Sequence, residues 1–126
     1  MKILLAEDDP NISTIAKITL EKLGGHVVTV VNDGEQALLF GMSDQFDLIL
    51  LDEMMPKING IKVSIELCAR GNSTPVIFLS AKSQESDIKE FYQHGTGFIP
   101  KPFDPIALPG QILEILQGLK SGPVAA

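Results

Sequence analysis

The charged and hydroxyl side chains best suited to chemistry follow directly on short apolar runs. Glu7, Asp8 and Asp9 follow KILLA, and Asp52 and Glu53 follow LILL. Ser80 follows VIFL, and Lys101 lies just beyond Phe98 and Ile99. Carboxylates brought together repel, and each raises the others' pKa unless a cation relieves them. Lys101 supplies one cation. The charge left over suits a hard divalent ion with oxygen ligands, and Mg²⁺ takes one or two carboxylates and keeps several waters. Read alone, Glu7 to Asp9 equally fits a solvated acidic loop opening a helix, where negative charge suits the dipole. Asp52 at the end of a second run tips the balance toward a site. A carboxylate there can also act as a nucleophile and form an acyl phosphate.

Whether these groups meet depends on the elements that carry them. Apolar runs at Lys2–Ala6, Val27–Val31, Leu48–Leu51, Val76–Leu79 and Phe98–Ile99 read as strands. Between them lie helical spacings. Ile12, Ile15, Ala16, Thr19, Leu20 and Leu23 recur at that spacing, with Pro10 suited to a first turn and Gly24 to a stop. Asp33 is a candidate N-cap for a helix over 35–43. Further helices are expected over 60–70 and 83–94. A last one ends near Lys120, with Pro109 and Gly110 inside it or marking a late start. Strands alternating with helices, most of them apolar throughout, predict an α/β fold with a parallel sheet covered on both faces. In such a sheet the strand ends share one edge, where ligands bind. Glu7, Asp8, Asp52, Ser80 and Lys101 would converge there from distant parts of the chain.

Composition limits the rest. A chain of 126 residues with 44% hydrophobic and 21% charged residues is that of one ordinary globular domain. The single cysteine, Cys68, excludes an internal disulfide framework and a Cys-rich zinc site. A formal charge of -6 argues against nucleic-acid binding through bulk electrostatics. No run reaches the roughly 20 apolar residues of a membrane span, and no signal segment opens the chain, so a cytoplasmic setting is expected.

The stretches ILLAEDDP, DLILLDEMMPKING, PVIFLSAK and GFIPKPFDP resemble the receiver domain of two-component response regulators. They come in that family's order over about Lys2 to Leu119. The intervals before Ser80 and Lys101 are shortened by one or two loop residues. The resemblance implies a flavodoxin-like (βα)5 fold with strand order 2-1-3-4-5, a receiver domain over 1–120 and a flexible tail over 121–126. It implies that Asp52 accepts a phosphoryl group from the phosphohistidine of a histidine kinase or phosphotransfer protein. Asp8, Asp52 and the Met54 backbone carbonyl would hold Mg²⁺, with Glu7 acting directly or through water. Lys101 would pair with the acceptor and then with the phosphoryl group. Its bond to Pro102 is a candidate cis peptide. Ser80 and Phe98 would be the switch pair that changes how a downstream protein binds. Phenylalanine in place of the tyrosine frequent in that family has no hydroxyl to present. Such a protein is a signalling phosphoacceptor and not a metabolic enzyme. With no output segment after Lys120, it reads as a stand-alone receiver or one cut from a larger protein.

Other readings explain less. A Mg²⁺-dependent phosphatase with an aspartyl nucleophile would carry D-x-D after the first strand and an inserted cap. A flavin-binding protein would carry a Ser/Thr-rich phosphate loop there. A degenerate receiver serving only as a binding module would have lost side chains that are present here. His26 and His94 have no metal-ligand spacing, and His94 before Gly95 is expected to end a helix. Cys68 is expected to be buried packing, Met54 and Met55 to pack or turn, and no glycine motif cradles a nucleotide.

Overall fold

The computed structural model describes the backbone of residues 1–121 and the side chains of residues 1–118. The elements alternate strictly. They are β1 (Lys2–Ala6), α1 (Pro10–Lys22), β2 (Val27–Val31), α2 (Gly34–Ser43) and β3 (Leu48–Asp52). Then come α3 (Gly60–Ala69), β4 (Val76–Ser80), α4 (Glu85–His94), β5 (Gly97–Pro100) and α5 (Leu108–Ser121). All strand pairs are parallel, in the order β2-β1-β3-β4-β5. This is the doubly wound flavodoxin-like arrangement expected, and the chain order reverses between β1 and β3.

The strands divide their side chains by the two-residue period. Ile3, Leu5, Leu48, Leu50, Ile77 and Leu79 pack with Ala16 and Leu20 of α1 and Leu108 and Ile112 of α5. Leu4, Ala6, Ile49, Leu51, Val76 and Phe78 pack on the other face with Ala37, Val63, Leu67 and Phe91 from α2, α3 and α4. Each fully buried Leu, Ile or Phe contributes about 1.5–3 kcal/mol over its exposed state. These two layers therefore hold the strand ends, and the polar residues on them, in fixed register.

Helix starts follow local chemistry. Asp9 caps α1 by accepting from the Asn11 amide at 2.9 Å, with Pro10 in the first turn. Asp33 caps α2 through the Gln36 amide at 2.8 Å, and Asn59 caps α3 through Lys62 at 2.9 Å. After α1 the chain reverses through Gly25, whose φ of 68° suits a residue without Cβ.

Several expectations need adjustment. The fourth helix begins at Glu85, not Ser83, and the last begins late, at Leu108, with Pro109 in its first turn where a missing N–H costs nothing. Ile15 and Leu23 are exposed, because α1 turns the narrower stripe Ser13, Ala16 and Leu20 inward. Cys68 is exposed and not buried packing. The inner stripe of α3 runs Gly60, Val63, Ser64 and Leu67, and the next position rotates outward. Met55 packs against the second core layer, whereas Met54 is exposed. Of the tail expected over 121–126, Ser121 is the last residue of α5, and residues 122–126 lie outside the described residues. Among the described residues no helix is long and apolar enough to cross a membrane.

Candidate functional site

The ends of β1, β3, β4 and β5 form one edge, and the crevice between β1 and β3 is where the acidic residues gather. The Glu7 amide donates to Val31 O at 3.0 Å, extending the ladder one residue past β1. Its side chain is buried. Asp8 next to it is exposed. Asp52 closes β3 and is buried. The backbone folds tightly beyond it: the Gly60 amide donates to Glu53 O at 3.0 Å. A Cβ on Gly60 would lie 2.5 Å from the Asp52 carbonyl oxygen, so α3 can start this close only from glycine. Glu7, Asp8 and Asp52 each offer a carboxylate oxygen within 4.8 Å of the others.

Lys101 enters from the far side of the sheet. Its amide donates to Ser80 O at 2.8 Å, and its bond to Pro102 is cis. The ammonium nitrogen lies 2.6 Å from Glu7 Oε1 and 3.2 Å from Asp52 Oδ2. The lysine thus bridges two carboxylates, and the shorter contact goes to Glu7 and not to the acceptor candidate.

Electrostatics follow from that packing. Asp52 is pushed up to about 7, first by burial, then by the adjoining Glu7 carboxylate, with Lys101 pulling the other way. Burial draws the Lys101 ammonium down, but the two carboxylates outweigh it and hold its pKa above the ordinary lysine value. Three converging carboxylates, one of them half-protonated near neutrality, are short of positive charge. Oxygen donors at this spacing fit a hard divalent cation, so the residues present suit Mg²⁺.

The remaining candidates have distinct places. The Met54 amide donates to Asp52 Oδ1 at 3.3 Å. Ser80 is buried at the end of β4, where its Oγ accepts from the Lys82 amide at 3.0 Å and keeps its O–H to donate elsewhere. Phe98 is half-buried on β5, stacked on Phe91 at 5.5 Å between centroids. Asp9 is not part of the cluster, because its carboxylate is spent on capping α1. Among the described residues an apolar hollow of about 430 Å³ adjoins Lys101, lined by Ile12, Ile15, Pro102, Phe103 and Pro105 among others.

The sequence marks Glu53 only as following LILL and does not single out Lys82 at this edge. Glu53 is buried, and Lys82 reaches its Oε2 at 3.3 Å. The signal available was a lysine two residues after Ser80, but nothing local says that it turns back toward β3.

Residues 3–113 match the family model described as the response regulator receiver domain. The transcriptional regulatory protein CpxR of Escherichia coli (strain K12) is 41% identical over 117 residues, covering 92% of this chain and 49% of that protein. Protein RcaC of Microchaete diplosiphon is 33% identical over 126 residues, covering 98% of this chain and 19% of that protein. The chain therefore spans half or less of the length of these curated relatives. Among solved structures, the receiver domain of the Francisella response regulator 1452 aligns with a TM-score of 0.84 at 29% identity, covering 94% of this chain and 98% of that one. The chemotaxis response regulator CheY4 of Vibrio cholerae aligns with a TM-score of 0.81 at 26% identity, covering 90% and 97%.

Proposed function

The chain belongs to the response regulator receiver domain family, and from that premise we propose that Asp52 accepts a phosphoryl group from the phosphohistidine of a histidine kinase or phosphotransfer protein. The observation that carries this reading is the convergence of Glu7, Asp8 and Asp52 oxygens within 4.8 Å, with Lys101 bridging Glu7 and Asp52. An Asp52 carboxylate oxygen attacks phosphorus, a P–O bond forms, the P–N bond breaks, and its electron pair returns to the imidazole nitrogen. Asp8, Asp52 and the Met54 carbonyl would hold Mg²⁺, with Glu7 direct or through water. When bound, the ion neutralises charge between an anionic nucleophile and an anionic phosphoryl group.

The protein's own groups do the rest. Lys101 offers an ammonium to a phosphoryl oxygen while Glu7 keeps it aimed. Ser80 donates its hydroxyl to the same group once transfer is complete. That movement opens room for Phe98, and the face around α4 and β5 changes for a downstream protein. The role is that of a signalling module in the cytoplasm, acting on proteins and not directly on nucleic acid or membrane. Its only chemistry is its own phosphorylation and slow hydrolysis of the acyl phosphate.

Incubation with Mg²⁺ and acetyl phosphate, followed by intact mass spectrometry beside Asp52→Ala, tests the reading. The expected result is a gain of one phosphoryl mass in wild type alone, lost on chelation. If neither acetyl phosphate nor beryllofluoride with Mg²⁺ modifies the protein, a binding module without phosphorylation replaces this reading.

A further inference from the structure

Glu53, the residue directly after Asp52, is an odd group to bury. Its side chain is 9% exposed, and Oε1 has no hydrogen-bond partner among the described residues. Burying a carboxylate oxygen unpaired costs free energy, so an apolar residue would make a more stable edge here. Among the described residues the cation Glu53 meets is Lys82, whose ammonium lies 3.3 Å from Oε2 and is itself half-exposed. Lys82 stands in turn on the switch candidate, since its amide donates to Ser80 Oγ at 3.0 Å. The Glu53 amide donates to Leu79 O at 2.9 Å, which fixes the ends of β3 and β4 side by side. One ion pair thus ties the acceptor strand to the loop that follows Ser80.

We propose that Glu53 is a positioning residue that restrains Lys82, so that a phosphoryl group on Asp52 must win this lysine from Glu53. The inference rests on the phosphoacceptor reading above. Phosphorylation brings new negative charge and strong acceptor oxygens to the residue beside Glu53. Lys82 is a long, half-exposed lysine on the loop that follows Ser80, so its ammonium is free to change partner. Glu53 offers it the competing contact, with an unpartnered oxygen that keeps the attraction one-sided. The pair sets how readily the loop after Ser80 closes on the phosphoryl group, and it opposes closure.

Beryllofluoride with Mg²⁺, followed by the fluorine NMR signal of the bound adduct, reads this directly. Glu53→Gln, which keeps the shape and removes the charge, is expected to raise apparent beryllofluoride affinity at least threefold. Lys82→Gln is expected to lower it, and Lys82→Arg to keep it. In Glu53→Gln/Lys82→Gln the gain disappears, because no lysine is left to release. A gain that survives in the double variant reduces Glu53 to a nearby negative charge and overturns the proposal, as does an unchanged affinity in Glu53→Gln. Should Glu53→Gln fail to fold, the surface variant Lys82→Gln decides, and wild-type affinity there sinks the idea. If wild type gives no adduct, the phosphoacceptor reading fails and this one with it. An adduct in wild type with no difference among variants removes only the role of Glu53.

Discussion

Tyr92 meets Phe98 edge to face, with ring centroids 6.4 Å apart and planes at 89°. Tyr92 is exposed on α4, Phe98 is half-buried on β5, and the chain holds no tryptophan and no other tyrosine. Tyrosine fluorescence therefore reports one contact, and that contact is the switch candidate. Addition of beryllofluoride and Mg²⁺ is expected to change Tyr92 emission as Phe98 leaves its edge. Ser80→Ala is expected to bind the adduct but give less than half of the change. Equal changes in both proteins would show that Phe98 moves without Ser80, or that Tyr92 responds to something else.

Asp52 contributes its own pH dependence to metal-free stability. Its folded pKa of about 7 lies above the ordinary carboxylate value of 3.8, so between these limits the folded state binds more protons than the unfolded state. Stability is then greatest below about pH 4 as far as this group is concerned, and falls as pH rises toward 7. Asp52→Asn removes that slope and is expected to raise stability in chelator at pH 7.5 by about 1–2 kcal/mol. Urea denaturation at pH 5 and pH 7.5 checks both statements. A parallel slope in the variant would assign the proton to another group.

Metal should reverse the penalty. Mg²⁺ at ten times its dissociation constant is expected to add about 1.4 kcal/mol to wild type by mass action. Asp8→Asn, at an exposed position, should leave metal-free stability within about 0.5 kcal/mol while losing most of this gain. Thermal melts with Mg²⁺ and with chelator separate the two effects. Undiminished Mg²⁺ stabilisation in Asp8→Asn would move the ion to another ligand set.

Lys101→Met strands two buried carboxylates. Breaking a buried pair by removing one partner costs about 3–5 kcal/mol, and the residual exposure of Lys101 places this site at about 2–4 kcal/mol. The loss should be smaller at pH 5 than at pH 8, because a protonated Asp52 no longer needs the ammonium. Denaturation at the two pH values reads the difference, and a loss independent of pH would argue that the lysine stem, not its charge, supports the fold.

Two glycines should respond in opposite senses. Gly60→Ala pushes a methyl to 2.5 Å from the Asp52 carbonyl oxygen, so the loop must move, with an expected cost of about 2 kcal/mol or more and weaker beryllofluoride uptake. Gly110, near the start of α5, has open space where a Cβ would go, and Gly110→Ala is expected to stabilise by about 0.5–1 kcal/mol. Urea midpoints for the pair provide the check.

The elements were legible in the chain because apolar runs, helical periods and caps are local properties. β1, β2 and the N-cap at Asp33 lie where KILLA, VVTVV and the residue before Gly34 put them. The residues brought to the edge were legible too, since a parallel sheet carries every strand end to the same side. What tertiary structure alone decided is which of these groups touch. Lys101 and Glu7 are 94 residues apart in a chain of 126, and only the packing of β5 through β4 and β3 to β1 sets their ammonium and carboxylate 2.6 Å from one another. The same packing turns Cys68 outward and buries Glu53 against Lys82. Composition and spacing specify which side chains arrive at an edge. Contact distances and helix rotation, which no local pattern encodes, decide which of them act together.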